Sequence, residues 1–178
     1  MGDDTALREG RISLNPLVHM DPFGTALFPL VGLFAGSIVF GWAKPVPVNP
    51  MNLRNPRRDN LIISAAGPLA NLVLALGAFV IIQIIKAASP ALLFRVPGLF
   101  QILYSILIIN IILAVFNMIP LPPLDGSGVL LGFLSPEAAQ KYEQITPYSF
   151  FIIMILVMTG IMGRILGVFV GMINSFLI

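Results

Sequence analysis

A long apolar run without charge is the feature that most restricts how this chain can fold. Residues 99–119 contain no Asp, Glu, Lys or Arg, and residues 61–85 form a second such run, which ends at Lys86. About 20 apolar residues in a helix cross the ~30 Å hydrocarbon core of a bilayer. Each run therefore predicts a transmembrane helix, because a backbone inside lipid must pair its own hydrogen-bonding groups.

Composition extends this conclusion to the whole chain. Hydrophobic residues make up 57% of the sequence and charged residues 10%, whereas about one quarter of a soluble domain is charged. The sequence therefore predicts an all-α, polytopic integral membrane protein in which residues 1–178 form a single membrane-embedded domain. The formal net charge of +2 gives no indication of nucleic-acid binding. The absence of cysteine excludes disulfides and thiolate metal sites.

We expect three to four transmembrane helices. Besides the two charge-free runs, residues 148–178 form a long apolar stretch interrupted by glycines and Arg164. This stretch either tilts, with Arg164 reaching the interface, or turns near Gly163. Residues 26–42 are apolar but broken by proline and glycine, so that segment either spans the membrane or is re-entrant and β-hairpin-like.

The charges of the loops favour re-entry of residues 26–42. If this segment turns back, seven loop cations lie on one side of the membrane and two on the other, whereas a full crossing gives four against five. The first distribution fits the positive-inside rule. It places the loop that contains Asp125 on the cytoplasmic side.

The stretch 117–126 follows the second apolar run and contains three prolines before Asp125 and Gly126. An acidic residue beside a membrane-type run is costly to desolvate and is a candidate functional residue. Alternatively, the prolines end a helix and Asp-Gly turns the chain. Asn71, in the first run, has two comparable interpretations, because a polar side chain at that depth can simply hydrogen-bond a neighbouring helix.

The sequence contains only some of the residues that a catalytic zinc site needs. A catalytic zinc takes three protein ligands and a water, and many metalloproteases supply two of the ligands from H-E-x-x-H on a helix. The sequence has one histidine, His19, and lacks that motif. Asp125 can be one ligand. His19 is a weaker candidate for a second ligand, since a lone histidine in a loop more often makes a structural hydrogen bond.

Four segments, in this order, resemble the site-2 protease family of intramembrane zinc metalloproteases, in its small form without a PDZ domain. Segments within residues 2–22 resemble the connector after the family's H-E-x-x-H helix, and residues 41–49 resemble the loop that follows. Gly67-Pro68-x-x-Asn71 resembles the family's G-P-x-x-N helix. The resemblance to the N-x-x-P-x-x-P-L-D-G motif is carried by Asn117-x-x-Pro120-x-Pro122-Pro123-Leu124-Asp125-Gly126.

The resemblance implies a zinc-activated water that hydrolyses a peptide bond of a membrane-spanning protein substrate, with Zn²⁺ as cofactor and Asp125 as the third ligand. The residues that it implies line or brace the site are Gly67, Pro68, Asn71, Asn117, Pro120, Pro122 and Gly126. Residues 26–42 would offer a backbone edge to an unwound substrate. The resemblance also implies that the protein lies in the lipid bilayer of a bacterial cell membrane and does not bind nucleic acid.

One part of the family pattern has no counterpart in the sequence. The H-E-x-x-H helix, with its catalytic glutamate, would precede residue 1, so we predict an N-terminally incomplete domain that does not bind catalytic zinc tightly. A start assigned too late, a truncated gene and a non-catalytic paralogue all fit. We favour the first, because Asp125 and its proline-rich loop are retained. Other hypotheses are a module that binds a membrane helix without cutting it and, with less support, a transporter with a path lined by asparagines (Asn71, Asn110 and Asn117).

Overall fold

The computed structural model describes residues 1–13, 15–27, 30, 33–34, 43–44 and 46–177. Within these ranges the chain is helical and has no strand, which confirms the all-α prediction. The re-entrant or hairpin-like segment expected at 26–42 lies almost wholly outside the described residues. The chain divides into two compact units, residues 1–56 and residues 57–178. A single domain over the whole chain stays a prediction.

In the described part of the first unit, short helical turns are joined by side-chain hydrogen bonds. These turns are α1 (Thr5–Arg8), 3₁₀ turns at Pro16–His19 and Pro50–Asn52, and a π turn at Pro22–Leu27. The Asp3 carboxylate accepts a hydrogen bond from the backbone N–H of Asn49 at 2.9 Å. The Arg11 guanidinium is buried and donates to the Lys44 carbonyl at 2.7 Å. These side-chain hydrogen bonds hold together described residues that are distant in the sequence.

The second unit contains the long helices. They are α2 (Pro56–Ala88), which begins at the boundary between the units, α3 (Pro90–Arg95), α4 (Pro97–Asn117), α5 (Asp125–Phe133), α6 (Pro136–Glu143), α7 (Thr146–Met158) and α8 (Ile161–Leu177). Five of them, α2, α3, α4, α6 and α7, have proline in the first turn. Proline costs little there, because the N–H that it lacks would have no partner in the helix.

Two helices in the described part of the chain, α2 and residues 98–117 of α4, are long and apolar enough to cross a membrane. The pair α7 and α8 makes a third span if the two are counted together, although they are bent by 65° at the break. Gly160 lies at this break with φ +73°, a conformation that glycine adopts without steric cost. The last apolar stretch therefore turns, and it does so three residues before the expected position at Gly163.

The core of the second unit lies where α2, α4 and α8 meet. Its buried residues are Ala75, Ala78 and Ile82 of α2 and Leu103 and Leu107 of α4, with Ile173 and Leu177 of α8 packed against them. The Tyr104 hydroxyl also donates to Asn174 Oδ1 at 2.9 Å, which joins α4 to α8. Because lipid is as apolar as these side chains, close packing and polar contacts hold the three helices together.

Candidate functional site

Asp125 is the first residue of α5 and follows the proline-rich loop 118–124. The loop is folded by short-range hydrogen bonds: the Leu121 N–H donates to the Ile119 carbonyl at 2.8 Å, and the Leu124 N–H to the Leu121 carbonyl at 2.9 Å. Its prolines have no N–H to extend α4. The chain therefore leaves one helix and starts another at Asp125. The proline-rich loop makes the turn, whereas Asp125 and Gly126, the alternative candidates for it, already belong to α5.

The Asp125 carboxylate lies against the backbone of Gly67 in α2. A methyl group built on Gly67 would be 2.7 Å from Asp125 Oδ2, closer than real Cβ contacts come. Any other residue at 67 would thus displace the carboxylate. The structure thereby brings together the two predicted motifs, G-P-x-x-N and N-x-x-P-x-x-P-L-D-G.

Asp125 is half-buried, and burial raises the pKa of its carboxyl, because removal from water disfavours the charged form. Within the described part of the chain, no hydrogen bond to the carboxylate offsets this cost. The Asp125 oxygens are therefore available to a cation or to a donor brought by another group.

Two glycines let α5 pack closely on the first half of α2. A methyl group on Gly128 would be 2.9 Å from Ser64 Cβ, and one on Gly132 would be 2.7 Å from Leu61 Cβ. Residue numbers rise along α5 as they fall along α2, so the two helices are antiparallel. The Gly-x-x-x-Gly spacing brings helix backbones into close approach, and here it fixes the helix that begins with Asp125.

Gly126 is buried where α5 begins against the preceding loop. A methyl group on Gly126 would lie 2.5 Å from the Ile119 carbonyl oxygen and closer still to the Met118 carbonyl. Both obstacles are backbone atoms, which cannot rotate away as a side chain can. Gly126 therefore allows the loop to fold directly onto the first turn of α5.

Arg57 caps the other end of α5. Its Nε donates to the Gly132 carbonyl at 2.9 Å, and its second guanidinium nitrogen donates to the Leu134 carbonyl. The last carbonyls of a helix have no partner within the helix, and a cation there also complements the helix dipole. Arg57 thus anchors the C-terminal end of the helix that carries Asp125.

The remaining predicted residues lie around this point. Pro68 is buried inside α2, and half-buried Asn71 lies one turn beyond Gly67. Half-buried Asn117 ends α4, and Pro122 is in the loop. The Pro120 carbonyl accepts a hydrogen bond from the Tyr142 hydroxyl at 2.9 Å.

Tyr142 and Arg57 were missed in the sequence analysis. The partners of these two side chains are 22 and 75 residues away, and no local pattern indicates such contacts. The glycine spacing in α5 could have indicated its close packing on another helix.

His19 lies in the first unit and has a structural role there. Its ring Nε2 donates to the Ser13 carbonyl at 2.9 Å, and its own carbonyl accepts from the Lys44 N–H at 2.9 Å. These bonds tie His19 to Ser13 and Lys44 within the first unit.

The described residues do not make a zinc site by themselves. Among them, no group of three or more His, Cys, Asp or Glu side chains could hold a metal ion. A carboxylate oxygen suits one position of a zinc site, but such a site takes three protein ligands. A lone carboxylate such as that of Asp125 could supply at most one ligand of such a site.

Comparison with protein families identifies a match to the model of peptidase family M50 over residues 84–160. The matched segment includes the proline-rich loop, α5 and α6. No solved structure matches the chain.

Three curated proteins are similar to the chain. The protein named "Putative zinc metalloprotease YwhC" of Bacillus subtilis is 37% identical over 166 residues, which cover 93% of this chain and 73% of that protein. "Putative zinc metalloprotease Rip2" of Mycolicibacterium smegmatis is 29% identical over 165 residues, covering 92% of this chain and 60% of that protein. "Putative zinc metalloprotease MJ0611" of Methanocaldococcus jannaschii is 43% identical over 72 residues, 40% of this chain and 34% of that protein.

Proposed function

This chain belongs to peptidase family M50, and from that membership and the position of Asp125 we propose that it is the aspartate-bearing part of a site-2-type intramembrane zinc metalloprotease. The observation that carries the proposal is the half-buried Asp125 carboxylate held against Gly67 of α2. The reaction of the complete enzyme would be hydrolysis of a peptide bond in a membrane-spanning protein.

In this proposal Asp125 is one zinc ligand and Gly67 gives its carboxylate room. The residues that brace or line the site are Pro68, Asn71, Asn117, Pro120, Pro122 and Gly126. The two other protein ligands would come from residues outside these 178, since the sequence has a single histidine, no cysteine and no H-E-x-x-H motif. A catalytic zinc site takes three protein ligands, and the Asp125 carboxylate would supply one of them.

We further propose that the Asp125 loop faces the cytoplasm in a bacterial cell membrane. The support is the charge count: with residues 26–42 re-entrant, seven loop cations lie on the side of this loop and two on the other.

By itself, this chain would neither hold zinc tightly nor cut peptides, because one carboxylate does not fix a zinc ion. The same observation favours a second candidate function, a non-catalytic module that binds a membrane helix without cutting it. In that case Asp125 would be a hydrogen-bond acceptor for the bound helix.

Zinc analysis of two purified proteins tests these functions. One protein is the chain as it stands, and the other carries an added helix with H-E-x-x-H ahead of Met1. We expect little zinc in the first and about one tightly held ion per chain in the second. In the second protein, Asp125→Asn should abolish zinc binding, whereas Glu137→Gln, which changes an exposed carboxyl of α6, should not.

Each contrary result has a definite meaning. Tightly bound zinc in the chain as it stands, lost on Asp125→Ala, would show that these 178 residues contain a complete site. Zinc that remains in the extended protein after Asp125→Asn would exclude Asp125 as a ligand. An extended protein that folds but binds no zinc would favour the helix-binding module.

A further inference from the structure

Helix α6 begins at a well-defined point directly after α5. The Ser135 hydroxyl accepts a hydrogen bond from the Ala138 N–H at 3.3 Å, and Pro136 follows it in the first turn. The preceding carbonyl, that of Leu134, is bound by Arg57. Because side-chain contacts hold both sides of this connection, the direction in which α6 leaves α5 is fixed.

Tyr142 lies near the end of α6 and reaches back to the loop before α5. Its hydroxyl donates to the Pro120 carbonyl at 2.9 Å. Burial raises the pKa of this half-buried tyrosine, so the hydroxyl keeps its proton and remains a donor near neutral pH. Pro120 follows the end of α4, where carbonyls have no partner within a helix, and it precedes Asp125 by five residues.

These contacts close a ring of structure that includes Asp125. The ring runs from Pro120 through Asp125 along α5, which is about 14 Å long at 1.5 Å per residue. It turns at the Arg57 anchor and returns along α6 to the hydroxyl of Tyr142. Among the described residues, the other hydrogen bonds of the proline-rich loop are short-range, and Gly126 packs closely against it.

We propose that Tyr142 is a positioning residue for Asp125: through the Pro120 carbonyl it holds the loop that sets where the carboxylate lies. This inference rests on the proposed function for the role of Asp125 as a ligand. Metal ligands must be held within about 0.5 Å of their working geometry by the residues behind them. The hydroxyl of Tyr142 is such a support, and it comes from a helix outside the two motifs.

Hydrogen exchange of the full chain in detergent micelles tests whether the Tyr142 hydroxyl holds the proline-rich loop in place. Tyr142→Phe removes the hydroxyl and keeps the ring. We expect the loop amides of Leu121 and Leu124, and that of Ser127 in the first turn of α5, which donates to the Leu124 carbonyl, to exchange about two- to tenfold faster, as loss of one hydrogen bond allows. Amides of α2 within residues 75–82 should be unchanged.

Tyr148→Phe is the matched control, since Tyr148 is an exposed tyrosine of α7. It should leave exchange in the loop at the wild-type rate. Unchanged loop exchange in Tyr142→Phe would overturn the inference. So would equal acceleration in α2, because that would mean a general loss of stability.

Cobalt binding to the protein extended by an H-E-x-x-H helix tests whether Tyr142 positions Asp125 as a metal ligand. We expect Tyr142→Phe to weaken Co²⁺ binding about three- to tenfold at unchanged stoichiometry, and Tyr148→Phe to have no effect. Wild-type affinity in Tyr142→Phe would refute the positioning role. Binding that survives Asp125→Asn would instead refute the proposed function, and the exchange experiment would still report on the Tyr142 contact.

Discussion

The substitution Gly126→Ala tests most directly how the loop is packed onto α5. In the folded chain the new methyl group would lie 2.5 Å from the Ile119 carbonyl oxygen, and nearer still to the Met118 carbonyl. Cβ atoms essentially never approach other atoms closer than 3.0 Å. Because the Met118 carbonyl oxygen would be the nearest atom to the methyl group, the loop backbone and the start of α5 must move apart by at least about 0.7 Å.

The expected cost follows from this overlap. Overpacking a well-packed site costs about 1–3 kcal/mol, and we expect the upper half of that range here because the obstacle is backbone. Alanine recovers at most about 1 kcal/mol of helix propensity over glycine. The net change in the free energy of unfolding should thus be a loss of about 1–2 kcal/mol.

Gly77→Ala in α2 is the matched control. It makes the same chemical change in a helix, but a methyl group on Gly77 would meet no atom within 4 Å. Helix propensity should then stabilise the chain by about 0.5–1 kcal/mol. Both variants can be unfolded by SDS in mixed micelles, with loss of helix followed by circular dichroism.

Opposite signs for these two variants would support the packing of the loop against α5. If Gly126→Ala is as stable as Gly77→Ala, the loop is not packed against α5 as described. The structural account of how Asp125 is held would then be wrong as well, since the carboxylate follows directly on this loop.

Two further predictions concern charge and packing. Because burial raises the pKa of Asp125 in the folded chain above its ordinary 3.8, its contribution to stability is fully present below pH 3.8 and is lost as the pH rises through the raised value. Asp125→Asn should therefore lose less stability than the wild type between pH 4 and pH 7 in the SDS assay, and an equal pH dependence would contradict this. Leu107→Ala in the core between α2 and α4, where Leu107 is 1% exposed, should cost about 2–4 kcal/mol. Leu113→Ala, at a residue 41% exposed, should cost much less, and similar losses for both would contradict the described core.

The residues that these substitutions change lie in the part of the chain that matches related proteins. The chain spans 73% of the Bacillus subtilis relative and 60% of the Mycolicibacterium smegmatis relative. The match to the family model covers residues 84–160, which include Tyr142 as well as Asp125. The proposed support of the aspartate by α6 therefore lies within the segment that the family model recognises.

Much of the helical structure follows from local chemistry that the sequence displays. The charge-free runs predicted α2 and α4, because lipid excludes unpaired backbone groups and charges. Ser135-Pro136-Glu137 is a local signal for the start of α6, since a hydroxyl cap and a proline in the first turn act within one turn of helix. The sequence also marked Asp125, as an acidic residue beside an apolar run.

Tertiary structure decided what the marked residues touch. Gly67 and Gly77 are both glycines of the same apolar helix, yet one lies against the Asp125 carboxylate and the other has open space beside it. Tyr142 gave no local signal, because its partner Pro120 is reached only after α5 and α6 turn back. Composition and periodicity can be read from neighbouring residues of the sequence, and they determine which segments enter the membrane. The position of one carboxylate depends instead on backbones that approach from distant parts of the chain, and only the folded structure contains that information.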